Sequence, residues 1–517
     1  MDRERPPRNI WRIGHLAALI CAGLIAPAAQ AAVTVSSGAT QNMTCANGVC
    51  APTADKAVLN AGDLETLLAS GNVEITTTGT GVQSNDITFK VPVTWSSSSV
   101  LTLDARKSIT VDRPISISGL AGLTVVTNDG SRKGTFEFGP KGNVTFANLA
   151  STLSIDGAAY SLAGDIKTLA SDILSNPNGN FALANSYDAS GDGTYHSSPI
   201  SLFGGAFEGL GNAISNVSID GPTQAKDDDI VEGLIAEIET TGTVSNVDLL
   251  NADISVPGNS DFGKVDGGAV LAGDNLGALR SCVTTGVIVG GRWRRGGPEL
   301  GGLADYDLGT VFHSHSAVTV TAKYGGGGLV ATNDGTISQS YATGDVSAPG
   351  AGGLIAQNDA IVTGSYATGH VRGNAAGGLV GVNSLGAVTN SYATGSVTGG
   401  SVFGAGGLIG INEVAVSSSY STGKVRGKAG SILGGLVGDD RSQSGSLDDT
   451  YWDTDTSGVT NPSQGAGNIA NDPGITGLTT AQFQSGLPAG FDPKVWAERA
   501  SVNGGLPYLL ANPPPRR

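Results

Sequence analysis

Apolar positions along this chain come in short runs of two to four residues, punctuated by glycine, asparagine and serine. Three stretches repeat almost word for word: "GGLIAQNDAIVTGSYATGHVRG", "GGLVGVNSLGAVTNSYATGSVTG" and "GGLIGINEVAVSSSYSTGKVRG". Aligned on Gly-Gly-Leu, their leucines and those of flanking copies fall at Leu303, Leu329, Leu354, Leu379, Leu408 and Leu436, in steps of 26, 25, 25, 29 and 28. Weaker copies put Leu234 and Ala269 in the same slot. A period near 25 that tolerates insertions predicts a solenoid. Each unit reads as two strand-like runs, one after the glycine pair and one through Ser-Tyr to a valine. Both are too short and too glycine-rich for helices. The prediction is an all-β chain: a parallel, right-handed β-helix in which each strand pairs with its copy about 4.8 Å away.

Equivalent side chains then stack in columns. Leu329, Leu354, Leu379, Leu408 and Leu436 form one. Tyr341, Tyr366, Tyr392, Tyr420 and Tyr451 form an aromatic column, read here as inward, with His315, Cys282 and Val247 filling it in weaker copies. Cys282 in such a slot behaves as a small core hydrophobe rather than a reactive thiol. Asn333, Asn358, Asn383 and Asn412, followed by Asp440 and preceded by Asp307, form a third column. Stacked amides there hydrogen-bond along the axis, a reading preferred over a metal ladder because most members are neutral. The positions four and six residues after each tyrosine vary instead: Asp345, His370, Ser396, Lys424 and Ser347, Arg372, Thr398, Arg426. Fixed inward and variable outward positions make the repeat an architectural one. The residue after each leucine is also apolar (Val330, Ile355, Val380, Ile409, Val437), which demands either a kink or a covered outer column.

Outside the array (201–456) the pattern loosens. Residues 61–150 read as an N-terminal cap and irregular coils, with turns at Asp104-Ala105 and Asn128-Asp129-Gly130. A short helix over Asp63 to Ser70, ended by Gly71, is expected to cover the open first coil. Residues 151–200 read as an insertion with a helix from Asp165 to Ser175, broken by Asn176-Pro177-Asn178-Gly179. The bulky residues of 457–517, Phe491 and Trp496 among them, predict a non-repeating cap over the last coil.

Composition narrows the function. With 517 residues, 79 glycines, 14% charged residues and a net charge of −16, the chain lacks the basic stripe that nucleic acid requires. The short cluster Arg292-Trp293-Arg294-Arg295 reads as a solvated loop ahead of a contact for an anionic partner. Residues 1–31 have the form of an export signal, with four arginines, an apolar core from Leu16 to Ala26 and Ala29-Gln30-Ala31 at the cleavage position. No later stretch reads as a transmembrane helix. Residues 32–60 form a leader in which Cys45 and Cys50 flank the turn dipeptide Asn47-Gly48, and in an exported chain they are read as a disulfide.

Chemistry is sparse. His313 and His315 are expected to share a strand face without a carboxylate or thiol beside them, and His196 and His370 stand alone. "YDASGDGTY" imitates the start of a calcium loop, but its twelfth position is Pro199 where glutamate is needed, so a plain turn is expected. Neither a nucleophile elbow nor a phosphate loop occurs. Asp345, Arg372 and Arg426 are candidate glycan-cleaving groups that form no acid–base pair. No catalytic, metal or cofactor residues are therefore assigned.

The pattern "GGLVG…N…SYATG.V" resembles the GLUG motif. "FGGAFEGLGNAISNVSI" is similar to the segment that opens such arrays, and "YWDTDTSG" with "GLTTAQF" to one that closes them. "LTLDARKSITVDRPI" resembles β-helical segments of filamentous-haemagglutinin-like bacterial exoproteins. The resemblance implies an adhesin-like exported protein, although GLUG repeats also accompany some immunoglobulin A proteases, whose H-E-x-x-H motif is absent here. The expectation is a non-enzymatic protein, secreted or on the outer surface of a Gram-negative-type bacterium, with the periplasm as the alternative location, binding a glycan or protein and exported by separate machinery, since "NPPPRR" is not an outer-membrane strand. The alternative is a β-helix polysaccharide lyase or hydrolase.

Overall fold

One coil of the array shows how this composition folds. Gly325–Gly327, Val330–Asn333, Thr336–Ser338, Tyr341–Ala342 and Val346–Ser347 are five short strands separated by bends. The two runs expected per coil are thus each subdivided. Every strand lies parallel to its copy in the next coil, as in Val330↔Ile355 and Tyr341↔Tyr366. The computed structural model describes residues 32–127, 134–221, 231–257, 267–291, 297–400, 403–459 and 461–515. The export signal, the Asn128–Gly130 turn and the Arg292–Arg295 cluster lie outside the described residues. The molecule is a parallel β-solenoid with nine coils in register along the strands equivalent to Val330–Asn333.

The glycine pair has a steric cause. A Cβ on Gly327 would lie 1.8 Å from the carbonyl oxygen of Val330 in its own coil, and a Cβ on Gly328 would lie 2.1 Å from the carbonyl oxygen of Gly353 in the next. Gly352 and Gly353, and Gly377 and Gly378, are crowded in the same way. The first glycine lets the chain fold back on itself, and the second lets the coils close to strand distance. The bend at Gly328-Leu329 also settles the paired apolar residues. The chain kinks there, so Leu329 and Val330 both enter the core, as do Leu354 and Ile355, Leu379 and Val380, Leu408 and Ile409, and Leu436 and Val437. A second corner uses left-handed backbone at Asn246, Ser281, His313, Gln339, Gly364, Asn390 and Ser418, residue types tolerant of that conformation in most cases.

Among the described residues the solenoid interior holds two hydrophobic cores, and residues 151–200 join them. Thr152–Ile155 and Ala158–Ala163 form an antiparallel hairpin turned by Asp156 and Gly157, both left-handed. The chain then resumes parallel coiling in the opposite strand sense. In the following strand, Phe181 and Leu183 face the C-terminal core while Ala182 faces the N-terminal one. Helix α2 (Ile166–Ser175) is capped by Asp165 and ends at Asn176, before Pro177. Helix α1 (Ala61–Ser70) starts two residues before the expected Asp63, because Asn60 accepts from the N–H groups of Gly62 and Asp63. Its Leu64 and Leu68 are buried. It packs beside Val93–Trp95, the end strand of a three-stranded sheet, and there it takes the place of a further strand.

The C-terminal segment corrects one expectation. The coiling continues for one irregular turn, with Ile475–Leu478 alongside Thr450–Asp453. Beyond it, residues 479–512 hold to the last coils only at their start, where Thr480 donates its N–H to Asp455 Oδ2 and its hydroxyl to Asp453 Oδ2. They run back along the side of the array, where Asn512 donates to the carbonyls of Ser340 and Gly364.

Candidate binding wall

The amide column is continuous over five coils. Asn333 Nδ2 donates to Asn358 Oδ1 at 2.7 Å, Asn358 to Asn383 at 2.8 Å, Asn383 to Asn412 at 2.9 Å and Asn412 to Asp440 Oδ1 at 2.8 Å. All four asparagines are fully buried. At its N-terminal end, Asn275 donates to Asp307 Oδ1 at 2.6 Å, while Asp307 Oδ2 is buried without a partner among the described residues. Burial, helped by Asp334, pushes the Asp307 carboxyl up to about 7. Each amide is committed to its neighbour. Among the described residues no three His, Cys, Asp or Glu side chains stand close enough to hold an ion.

The tyrosines are stacked but do not face the solenoid core. In each Tyr-Ala strand the alanine (Ala342, Ala367, Ala393) enters the core and the tyrosine points out. From His315 through Tyr341, Tyr366, Tyr392 and Tyr420 the ring centroids are 4.5 to 5.1 Å apart and the planes within 9°. Tyr366, Tyr392 and Tyr420 are buried because the returning C-terminal segment covers them with Phe483, Phe491, Trp496 and Leu509, while Tyr341 stays partly exposed. Tyr420 donates to the Pro507 carbonyl at 2.6 Å and Tyr451 to that of Ala489 at 2.9 Å. The Tyr366 and Tyr392 hydroxyls are buried without partners among the described residues.

Cys282 is displaced by one position from the sequence reading. Val283, not Cys282, is in register with His315 and so with Tyr341, and Asp248, not Val247, precedes it in the column. Cys282 joins the serine column, its N–H donating to Ser314 Oγ as that of Ser314 does to Ser340 Oγ. The slip arises because Ser281 occupies the left-handed corner. The thiol is free and buried, and burial pushes it up to about 12, far from the reactive thiolate. His313 occupies the same corner in the next coil, so it shares no strand with His315. Burial, then the neighbouring His313, lowers His315 to about 4.

The remaining features are structural. Cys45 and Cys50 face each other across the hairpin Met43–Ala46/Val49–Pro52 and are bonded, with Asn47 and Gly48 left-handed in the turn. In "YDASGDGTY", Asp188 accepts from Ser190 N–H and Asn216 Nδ2. Asp192 accepts from the hydroxyls of Tyr187 and Tyr195 and lies 3.4 Å from Lys167 Nζ.

The two variable columns lie side by side on one outer wall. Register places Ser347, Arg372, Thr398 and Arg426 in line. Asp345, His370, Ser396 and Lys424, each preceding a buried valine, form the adjacent line. His370 N–H donates to Asp345 Oδ1 at 2.9 Å, and His370 Nδ1 shares a 2.7 Å hydrogen bond with Ser396 Oγ. A third line went unnoticed in the sequence although "YATG" repeats there: Thr343, Thr368, Thr394 and Thr422, all half-buried. The wall is therefore a flat hydroxyl-bearing surface on a backbone ladder, and Asp345 is the single carboxylate in these lines. Asp345, Arg372 and Arg426 are brought onto one face, but without the second carboxylate that glycoside cleavage by paired acids needs.

No helix among the described residues is long and apolar enough to cross a membrane. A stretch of 121 residues, 23% of this chain, is 36% identical to halomucin of Haloquadratum walsbyi, of whose length it spans 1%. The coil at residues 373–398, which carries the central part of the wall, matches the model of the GLUG motif.

Proposed function

We propose that this is an exported, adhesin-like surface or extracellular protein that binds a glycan or a protein along this outer wall and catalyses no reaction. The observation that carries the reading is the division of each coil into fixed and variable positions. Leucine, glycine, asparagine and tyrosine are committed to the core, the coil contacts, the amide ladder and the tail, whereas Asp345, His370 and Lys424 stand exposed in line with the half-buried Ser396. The GLUG match and the stretch similar to halomucin support a surface or extracellular repeat protein. The mature protein is to be screened on a glycan and host-protein array and incubated with a polysaccharide panel. The reading expects saturable binding that is weakened by substitutions in the wall, and no new reducing ends or unsaturated uronates. Robust turnover would establish the enzyme alternative in its place.

A further inference from the structure

Charge is unevenly placed around the coil. Between residues 325 and 440 the sequence holds four cations, Arg372, Lys424, Arg426 and Lys428, and six carboxylates. The first three cations stand exposed on the wall and Lys428 follows just beyond its last strand. Five of the carboxylates, Asp334, Asp359, Glu413, Asp439 and Asp440, belong to the ridge at the amide ladder, and only Asp345 lies on the wall. Arg441, the next cation, is on that ridge and is paired with Asp439 and Glu413. Arg372, Lys424 and Arg426 form no ion pair among the described residues. An otherwise strongly acidic molecule thus keeps unneutralised cations together on one face of the array.

We propose that the C-terminal end of the wall, around Arg372, Lys424 and Arg426, binds an acidic polysaccharide carrying carboxylate or sulfate groups. The inference rests on the reading of the wall as a binding surface and specifies its ligand. Arg372 and Arg426 are in one line two coils apart, about 10 Å at strand spacing, with Thr398 between them. Lys424 precedes that strand, Val425–Gly427, by one residue and lies about 7 Å from Arg426 at strand rise. An arginine with free donors grips a carboxylate or sulfate in bidentate fashion. The hydroxyls of Ser396 and Thr398 between the cations suit sugar hydroxyls. A linear chain laid along the axis meets charges at multiples of the coil spacing and stops at Asp345. Nucleic acid fits less well: no Phe, Tyr or Trp is exposed in these lines for base stacking.

The test is binding of the mature protein to polygalacturonate, chondroitin sulfate, neutral dextran and a short DNA duplex, at low and high salt. The expected result is salt-sensitive binding to either or both acidic glycans, with dextran ignored and DNA bound at least about tenfold more weakly. The triple variant R372Q/K424Q/R426Q should weaken glycan binding about tenfold or more. A charge-matched control, K107Q/K494Q/R499Q, should stay within about twofold, with unchanged melting temperatures showing that both variants are folded. Equal losses in the two variants, or equal affinity for DNA, would overturn the proposal. Binding confined to a neutral glycan or to a protein on the array would also overturn it while leaving the wall as a binding surface. No binding to anything on the array would sink both readings.

Discussion

Asp307 sits where the ladder needs an amide. It accepts from Asn275, but its other oxygen has nothing to donate toward Asn333, its partner in register in the next coil. A proton on that oxygen would restore the missing donor. With the folded carboxyl at about 7 and an unfolded one near ~4, the folded state holds the proton more tightly. The associated stability is full below pH ~4 and is lost as pH rises through about 7. Asp307→Asn supplies the donor permanently. Urea midpoints measured from pH 4 to 8 should show the variant more stable than the parent at pH 8, by on the order of 2 kcal/mol, with a flatter profile. An unchanged profile would place the proton elsewhere. The ladder itself was legible from Asn333, Asn358, Asn383 and Asn412, because a period that recurs with one polar residue type can only stack it on itself. The unsatisfied oxygen was not legible, since it depends on which way each amide points. The glycines were legible as a motif but not as a cause. Gly378→Ala places a methyl about 2.0 Å from the Gly407 carbonyl oxygen and should cost ~3 kcal/mol or more, whereas Ser396→Ala on the wall should cost under ~0.5 kcal/mol in chemical denaturation.

The aromatic ladder and the segment that covers it act as one element built from two distant pieces of chain. Its phenols differ in a way that substitution can detect. Tyr392→Phe and Tyr366→Phe remove buried hydroxyls without partners, so each should be neutral or stabilising by up to ~1–2 kcal/mol. Tyr420→Phe removes the donor to the Pro507 carbonyl and should cost ~1 kcal/mol. Tyr392→Ala empties a site packed against Trp496 and two stacked rings and should cost ~3–5 kcal/mol. Equal costs for the three phenylalanine variants would mean that the tail does not lie as described. The orientation of this column escaped the sequence for a specific reason. Tyr and Ala alternate, both can be buried, and the period does not say which one enters the solenoid. The narrow coil interior admits alanine, and the rings are buried only because residues 479–512 return to them.

At the scale of the whole chain, stability should divide along the two cores. Removing residues 479–517 uncovers Tyr366, Tyr392 and Tyr420, so hydrogen exchange should accelerate over residues 341–420, while residues 33–125, in the other core, keep their protection. Uniform loss of protection would show that the two cores unfold as a unit. The hairpin that joins them read as an interruption, because an antiparallel turn between parallel coils breaks the period without leaving a repeat of its own. The glycine pair has a final consequence. Each coil folds back at the first glycine, closes on the next at the second and passes one amide hydrogen bond onward, so neighbouring coils are interchangeable at their boundaries. A whole coil can be inserted or removed without a new contact having to be invented, whereas a few residues cannot be inserted inside the kink. The length of the molecule, and with it the reach of the wall, is free to change in steps of about 4.8 Å, while the cross-section is held fixed.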